Sequence, residues 1–272
     1  MKLKSLICVF IIAILQLAAF AEDAPVRALV VGVTRYEDGR AREGGTNSTQ
    51  GVYDALTHAF NAQQGYDCEM ALDLSKDELA VKISERFSDM PLDGVSLIYI
   101  NSHGGAKDGE NWIETASGEH ITPLELKQMT DPIPGKVILL IDCCNSGGFI
   151  GEESREEFSN AFTVNAFASS KYTVCVSCCL DENSYRVASG STDELNLATV
   201  FSRALCEGLG WDLIKDSPTS LKADADGDRA VTFSELVAYT RRRCMYYLSS
   251  SSVTQTVACY PESSPHILAE RY

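Results

Sequence analysis

KVILLIDCCNSGGF, residues 136–149, combines the clearest strand signal of the chain with two adjacent cysteines. Its first half, Val137–Ile141, is a short apolar run rich in branched side chains, with Pro134-Gly135 before it and a polar, glycine-rich turn after it. This pattern predicts a strand that is buried on both faces of a parallel sheet. Reactive side chains in such a sheet collect just beyond the carboxyl ends of the strands, so the cysteines that follow Asp142 are candidate nucleophiles.

Further strand and helix signals lie on both sides of this stretch. Short apolar runs predict strands over Val26–Val33, Tyr66–Leu72, Val95–Ile100, Tyr172–Ser177 and Val253–Tyr260. Apolar residues at helical spacing lie between them, for example over Thr49–Gln63, and Ser75 and Thr122 each open a capping-box sequence. The alternation predicts an α/β fold with a mostly parallel central sheet and helices on both faces.

The N-terminus has the three parts of a secretory signal peptide. Lys2 and Lys4 are followed by the apolar run Leu6–Leu17 and by Ala19-Phe20-Ala21, a small-x-small cleavage sequence. The run is too short to cross a bilayer comfortably, and we expect no membrane span after it. We therefore predict a signal peptide at residues 1–21, one mature domain at residues 22–272, and a secreted or periplasmic location.

The mature chain would be strongly acidic. Without Lys2 and Lys4, its 23 basic residues become 21 against 38 acidic ones, a net charge of −17. Such a charge argues against binding to nucleic acid or to an anionic membrane surface. It is compatible with cationic substrates, and equally with a role in solubility alone.

Cysteine usage is compatible with export but does not define the fold. Of the ten cysteines, Cys8 lies in the predicted signal peptide, which leaves nine. An oxidising compartment permits disulfides, and an odd number leaves at least one thiol unpaired within the chain. A mature chain of this length can build a full core without such links, and the sequence does not fix any connectivity.

A histidine follows the strand predicted at Val95–Ile100, within Asn101-Ser102-His103-Gly104-Gly105. If this strand and Val137–Ile141 are parallel neighbours, their carboxyl ends place His103 beside the two cysteines. An imidazole can take the proton of a thiol, and the resulting thiolate attacks carbonyl carbon. Glycines beside both groups would admit a substrate backbone and offer N–H groups to an oxyanion.

These two motifs resemble those of the caspase-like cysteine peptidases, and among them the metacaspase-type bacterial members. There the histidine motif is typically S-G-H-G and the cysteine motif D-x-C-x-S-G. Matched by position, the resemblance implies that Cys144 is the nucleophile and His103 the catalytic base, with Cys143 at a variable position. Ser102 stands where the pattern has Gly. The implied fold is a caspase-like three-layer sandwich.

The resemblance also implies residues that contact the substrate. Ser177–Asn183 is similar to a metacaspase segment, S-x-C-x-D-D-Q, in which an acid lines the pocket for the residue before the cut. The Asp two residues before the nucleophile lines the same pocket in that family. We therefore assign Asp142 and Asp181 to an acidic pocket for Arg or Lys, and Ser102 to substrate binding as well. The alternatives are that Asp142 only supports the turn and that Asp181 only caps a loop.

Residues 224–235 have the spacing of an EF-hand calcium loop. Positions 1, 3, 5 and 12 carry acids and position 7 offers a carbonyl, which gives the candidate ligands Asp224, Asp226, Asp228, Glu235 and Ala230. Arg229 occupies position 6, where Gly normally makes the turn. Thr232-Phe-Ser-Glu235 is also a capping box for a following helix, so calcium binding and a purely structural loop both remain open.

Together these observations predict an exported cysteine endopeptidase that hydrolyses proteins or peptides after Arg or Lys. The chemistry itself requires no cofactor, and the acidic loop adds Ca²⁺ as a candidate ligand. Two other functions are kept as alternatives. One is a catalytically silent caspase-like module that binds partners, and the other is a legumain-like peptidase that cuts after Asn.

Overall fold

The computed structural model describes residues 25–41, 44–59, 66–107, 109–151, 165–186 and 198–270. Its centre is a six-stranded sheet with the order β2–β1–β3–β7–β8–β12. The strands are β1 (Val26–Gly32), β2 (Asp67–Leu72), β3 (Val95–Asn101), β7 (Lys136–Asp142), β8 (Tyr172–Val176) and β12 (Ala258–Tyr260). All neighbouring pairs are parallel except β8 and β12, which are antiparallel. The predicted mostly parallel sheet is therefore confirmed.

Three smaller sheets surround this one. A three-stranded antiparallel sheet follows His103 and consists of β4 (Gly104–Lys107), β5 (Glu110–Glu114) and β6 (His120–Ile121). Two-stranded ribbons are formed by β9 (Trp211–Asp212) with β10 (Ser217–Pro218), and by β11 (Ala230–Thr232) with β13 (Ile267–Glu270).

Five α-helices cover the two faces of the central sheet. They are α1 (Gly45–Ala59), α2 (Lys76–Phe87), α3 (Pro123–Thr130), α4 (Val200–Gly208) and α5 (Phe233–Leu248), all within the described residues. Apolar side chains of α1, α4 and α5 share one core layer with one face of the sheet. Those of α2 and α3 share a second core layer with the other face. The three-layer arrangement predicted from the sequence is thus present.

Strand β7 shows why a continuous apolar run predicts a central parallel strand. Side chains alternate between the faces of a strand, so Ile138 and Leu140 enter the first core layer while Leu139 and Ile141 enter the second. Every residue from Val137 to Asp142 is buried. Neither face of this strand needs a polar residue until the chain reaches Asp142 at its carboxyl end.

The capping boxes are confirmed, whereas the bounds of one helix and one strand were predicted incorrectly and another strand was missed. Helix α1 begins at Gly45 rather than at Thr49, because its first turn lacks the apolar spacing used for the prediction. The strand predicted at Val253–Tyr260 is limited to Ala258–Tyr260, since Gln255 and Thr256 bond to residues 177–185 instead of to a strand. Strand β13 was not predicted.

The predicted signal peptide, residues 1–21, lies outside the described residues. Within the described ranges, the helices are all too short or too polar to span a bilayer.

Candidate active site

His103 and Cys144 emerge at the same edge of the sheet from neighbouring strands. Strands β3 and β7 are parallel, and their last residues, Asn101 and Asp142, are paired in register. His103 and Cys144 each lie two residues beyond this pair. Adjacent strands are about 4.8 Å apart, so the register brings the histidine and cysteine motifs together as predicted.

A close backbone contact joins the two motifs directly. A Cβ atom placed on Gly104 would lie 2.6 Å from the Cys143 Sγ and 2.6 Å from the Cys144 carbonyl oxygen. Any side chain at this position would therefore collide with the cysteine segment. The backbone N–H of Ser102 also donates to the Asp142 carbonyl at 3.3 Å. Gly104 is thus required for the close approach of the segment that carries His103.

Cys144 is more exposed to solvent than the cysteines around it. His103 is exposed and Cys144 is partly exposed, whereas Cys143 and Cys178 are buried. Burial raises the pKa of Cys178 to about 11, so this thiol stays protonated at neutral pH. Of the two adjacent cysteines, Cys144 is the one that a substrate can reach from solvent.

Tyr36 holds the histidine in place. Its ring stacks on the His103 ring with centroids 5.3 Å apart and an interplanar angle of 14°. The backbone N–H of His103 donates to the Tyr36 hydroxyl at 3.0 Å. Tyr36 is only 2% exposed, so it offers a rigid surface to one face of the imidazole.

Arg40 and Glu114 support Tyr36 in turn. The guanidinium carbon of Arg40 lies 4.5 Å from the Tyr36 ring centroid, and its Nη2 pairs with the Glu114 carboxylate at 2.6 Å. The hydrogen bonds that Arg40 donates to the Glu114 and Asp38 carboxylates raise its pKa, which keeps the cation charged. The loop after β1 is thereby fastened to β5, beside His103.

The turn after Cys144 is held by the segment that follows β8. Asn145 adopts a left-handed conformation with φ 58° and ψ 22°, which non-glycine residues seldom adopt. Its Nδ2 donates to the Leu180 carbonyl at 2.6 Å, and its backbone N–H donates to the Glu182 carbonyl at 2.9 Å. A short 3-10 helix, Ser146–Phe149, follows directly. Cys144 therefore precedes a strained but well-anchored turn.

Asp142 is buried within a set of hydrogen-bond donors. Its Oδ2 accepts from the Tyr99 hydroxyl at 3.0 Å, from Asn101 Nδ2 at 2.8 Å and from the Thr199 hydroxyl, and its Oδ1 accepts from the Ser184 hydroxyl at 2.8 Å. The residue is 0% exposed. Asp142 therefore lies behind the Cys143-Cys144 segment, without direct contact with solvent.

The other two predicted substrate residues lie in different surroundings. Ser102 is buried; its hydroxyl donates to the Glu114 carbonyl and contacts the Tyr36 hydroxyl at 3.3 Å. Asp181 is partly exposed and lies between Leu180 and Glu182, the two residues that bond to Asn145. The structure thus places Asp181 in a segment that contacts the Cys144 turn, while Ser102 faces the interior.

The acidic loop brings together three of its five predicted ligand residues. One carboxylate oxygen from each of Asp224, Asp226 and Glu235 lies within 4.8 Å of the others. The Asp228 carboxylate instead accepts the Ala230 backbone N–H at 2.8 Å, and Ala230 begins β11. The capping box at Thr232 and Glu235 is present, as predicted.

Arg229 takes the conformation that glycine usually supplies in such a loop. Its φ of 73° is in the left-handed region, where a side chain is disfavoured. The Asp224 carboxylate accepts the Arg229 and Gly227 backbone N–H groups at 3.1 and 2.7 Å. These bonds hold the turn with an arginine at position 6.

The sequence did not indicate Tyr36 and Asn111, which contact the segments that carry His103 and Cys144. Tyr36 follows β1, the strand next to β3, so a predicted strand order would have placed the loop after β1 beside His103. Asn111 lies on β5 and donates to the Asn145 carbonyl at 3.0 Å. Nothing in its local sequence indicates that contact.

The fold of this chain is caspase-like. Caspase-1 from Spodoptera frugiperda is similar in structure, with a TM-score of 0.58 and 14% sequence identity over 93% of this chain and 92% of that chain. At this identity the likeness establishes the fold alone. No protein-family model and no curated protein matches the chain.

Proposed function

We propose that this chain is an exported cysteine endopeptidase in which Cys144 and His103 form the catalytic dyad. The observation that carries the proposal is the in-register pairing of Asn101 with Asp142. It delivers an exposed imidazole and a partly exposed thiol to one edge of the sheet. The close approach of Gly104 to the Cys144 carbonyl also supports the proposal, because it brings the two segments into contact. Export rests on the signal-peptide pattern of residues 1–21.

The proposed reaction uses the two side chains in sequence. His103 takes the proton from Cys144, and the thiolate attacks the carbonyl carbon of the scissile bond. Backbone N–H groups of the Cys144 turn stabilise the oxyanion. His103 then protonates the leaving amine, which gives a thioester on Cys144. A water molecule deprotonated by His103 hydrolyses this thioester and restores the free thiol.

We further propose that the cut follows Arg or Lys. Asp142 receives four hydrogen bonds, yet within the described ranges its carboxylate forms no ion pair with a cationic side chain. A basic substrate side chain would supply the missing positive charge, and Asp181 would add a second acid.

A panel of fluorogenic peptides with Arg, Lys, Asn or Asp before the cut tests the proposed activity. We expect turnover of the Arg and Lys peptides, because an acidic pocket binds a cation more strongly than a neutral amide. The Cys144→Ala protein serves as the blank. Turnover of the Asn peptide alone would favour the legumain-like alternative. No turnover of any peptide, together with no labelling by a thiol-reactive inhibitor, would favour the silent binding module.

We also propose that the loop at residues 224–235 binds Ca²⁺. The convergence of carboxylate oxygens from Asp224, Asp226 and Glu235 supports this assignment, because Ca²⁺ prefers oxygen ligands in flexible loops. Glu235 can serve both roles, since its Oε2 accepts the Thr232 backbone N–H at 2.9 Å while its Oε1, which accepts the Ala225 backbone N–H at 3.0 Å, keeps a further lone pair for a cation. The ion would stabilise the loop at the start of α5 rather than take part in peptide hydrolysis.

Calcium is expected to raise the thermal midpoint of unfolding. At a concentration ten times the dissociation constant, the stabilisation is about 1.4 kcal/mol, or roughly 3–6 °C for a domain of this size. Asp226→Asn should remove most of this shift without disturbing the capping box. Asp93→Asn, at an exposed acid elsewhere, is the matched control. An unchanged midpoint at 10 mM Ca²⁺, which is about ten times the weakest EF-hand dissociation constants, would exclude the site.

A further inference from the structure

Asn111 lies between the two segments that carry His103 and Cys144. It belongs to β5, which pairs with β4, and β4 begins at Gly104 immediately after the histidine. The Asn111 side chain is buried, with 2% of the residue exposed. A polar side chain at that depth requires hydrogen-bond partners, and those it has are on the cysteine segment.

The Asn111 amide contacts both ends of the turn after Cys144. Its Nδ2 donates to the Asn145 carbonyl at 3.0 Å. At the other end, a Cβ atom placed on Gly148 would lie 2.0 Å from the Asn111 Cγ and 2.1 Å from its Oδ1. The amide plane therefore packs directly against the Gly148 backbone.

These contacts complete the support of a strained residue. Asn145 is left-handed, and the segment after β8 holds it through the Leu180 and Glu182 carbonyls. Asn111 holds the same residue from the opposite side, through its carbonyl. Without Asn111, that carbonyl would keep, among the described residues, only the Gly148 backbone N–H at 3.2 Å, and the turn would be anchored on one side.

We propose that Asn111 is a positioning residue: it clamps the turn at residues 145–148 and thereby fixes the Cys144 thiol relative to His103. The inference rests on the proposed peptidase function, because its consequence is the geometry of the dyad. Asparagine suits this position since it donates a hydrogen bond and is short enough for the gap at Gly148. Aspartate has the same shape but would place a carboxylate oxygen against the Asn145 carbonyl.

The test compares Asn111→Ala, Asn111→Asp, Gly148→Ala and the double variant Asn111→Ala/Gly148→Ala in the full chain. For each protein, kcat and KM are measured with the best peptide of the panel. The rate of Cys144 alkylation by iodoacetamide is followed by tandem mass spectrometry, which distinguishes Cys144 from Cys143. Thr130→Val is the control, because the buried Thr130 hydroxyl donates to the Leu126 carbonyl at 3.0 Å in α3, away from the dyad.

Each of the three single variants at Asn111 and Gly148 is expected to lower kcat by roughly 10- to 100-fold with little change in KM, as small misplacements of catalytic groups do. Alkylation of Cys144 should slow as well. Removing the Asn111 side chain makes room for the added methyl group at Gly148, so the double variant should lose no more than Asn111→Ala alone. Thr130→Val should lower the unfolding midpoint and leave kcat unchanged.

Three results would overturn the inference. The first is a kcat and a Cys144 alkylation rate in Asn111→Ala that equal those of the wild-type protein. The second is a loss of kcat in the double variant that equals the product of the two single losses. The third is a loss of kcat in Thr130→Val as large as that in Asn111→Ala. If the wild-type protein hydrolyses no peptide, the proposed function fails instead. The alkylation rates then still decide whether Asn111 positions Cys144.

Discussion

Replacing Cys144 by alanine is expected to reduce kcat/KM for the best peptide by at least about 10³-fold, as loss of a catalytic nucleophile does in other acyl-transfer enzymes. The reason is that Cys144 is the partly exposed thiol at the carboxyl end of β7, within reach of solvent and beside the histidine segment. His103→Ala should cause a loss of similar size, because the dyad acts as a unit. Purified variants assayed with the same fluorogenic peptide provide the measurement.

Two other cysteine variants serve as matched controls for the loss of a thiol. Cys143→Ala removes the buried neighbour in the same dipeptide, and Cys68→Ala removes a partly exposed thiol on β2, at the far side of the sheet. Both should retain most of the wild-type activity. If Cys143→Ala were inactive and Cys144→Ala active, the assignment of the nucleophile from the motif register would be wrong.

The parts of the fold that were predictable are those determined by neighbouring residues in the sequence. The apolar run of β7 is buried on both faces as expected, and the capping boxes at Ser75, Thr122 and Thr232 form as expected. The strand signal is a run of consecutive apolar residues, and each capping box joins residues three positions apart. Local spacing is therefore enough to locate them.

The parts that were missed depend on contacts between distant residues. Strand β13 pairs with β11. Both strands are short and lie far apart in the sequence, so no local pattern indicates the hydrogen bonds between them. Tyr36 contacts His103 across a separation of 67 residues, and Asn111 contacts Asn145 across 34. The nearness of the His103 and Cys144 segments could be predicted because each follows a recognisable strand. Tyr36 and Asn111 carry no such local signal.

Replacing Asp142 by asparagine is expected to remove the preference for Arg and Lys while the protein remains folded. The substitution keeps the shape: the amide oxygen can occupy the Oδ2 position, where Tyr99, Asn101 and Thr199 donate, and the amide N–H₂ can face the Ser184 hydroxyl. Hydrogen bonds to a charged acceptor are worth about 1.5–3 kcal/mol. Part of that is lost, so the unfolding midpoint should fall modestly.

The effect on a cationic substrate is expected to be larger than the effect on stability. A carboxylate that acts on the substrate cation over about 8 Å at an effective dielectric constant near 20 contributes about 2 kcal/mol, which corresponds to roughly 30-fold in kcat/KM. The measurement is the ratio of kcat/KM for the Arg peptide to that for the Asn peptide, before and after the substitution. Glu207→Gln is the matched control, since Glu207 is a buried carboxylate that bonds to Arg243 at 2.8 Å, between α4 and α5.

The outcome decides between the two roles left open for Asp142. If its charge recognises the substrate, Asp142→Asn lowers the Arg-to-Asn ratio, whereas Glu207→Gln lowers the unfolding midpoint and leaves that ratio unchanged. If Asp142 only supports the turn that carries Cys144, Asp142→Asn lowers turnover of all peptides by the same factor. Because the carboxylate is fully buried, a loss of selectivity would mean that its field acts on the substrate through the surrounding Ser184 and Thr199 hydroxyls rather than by direct contact at the surface.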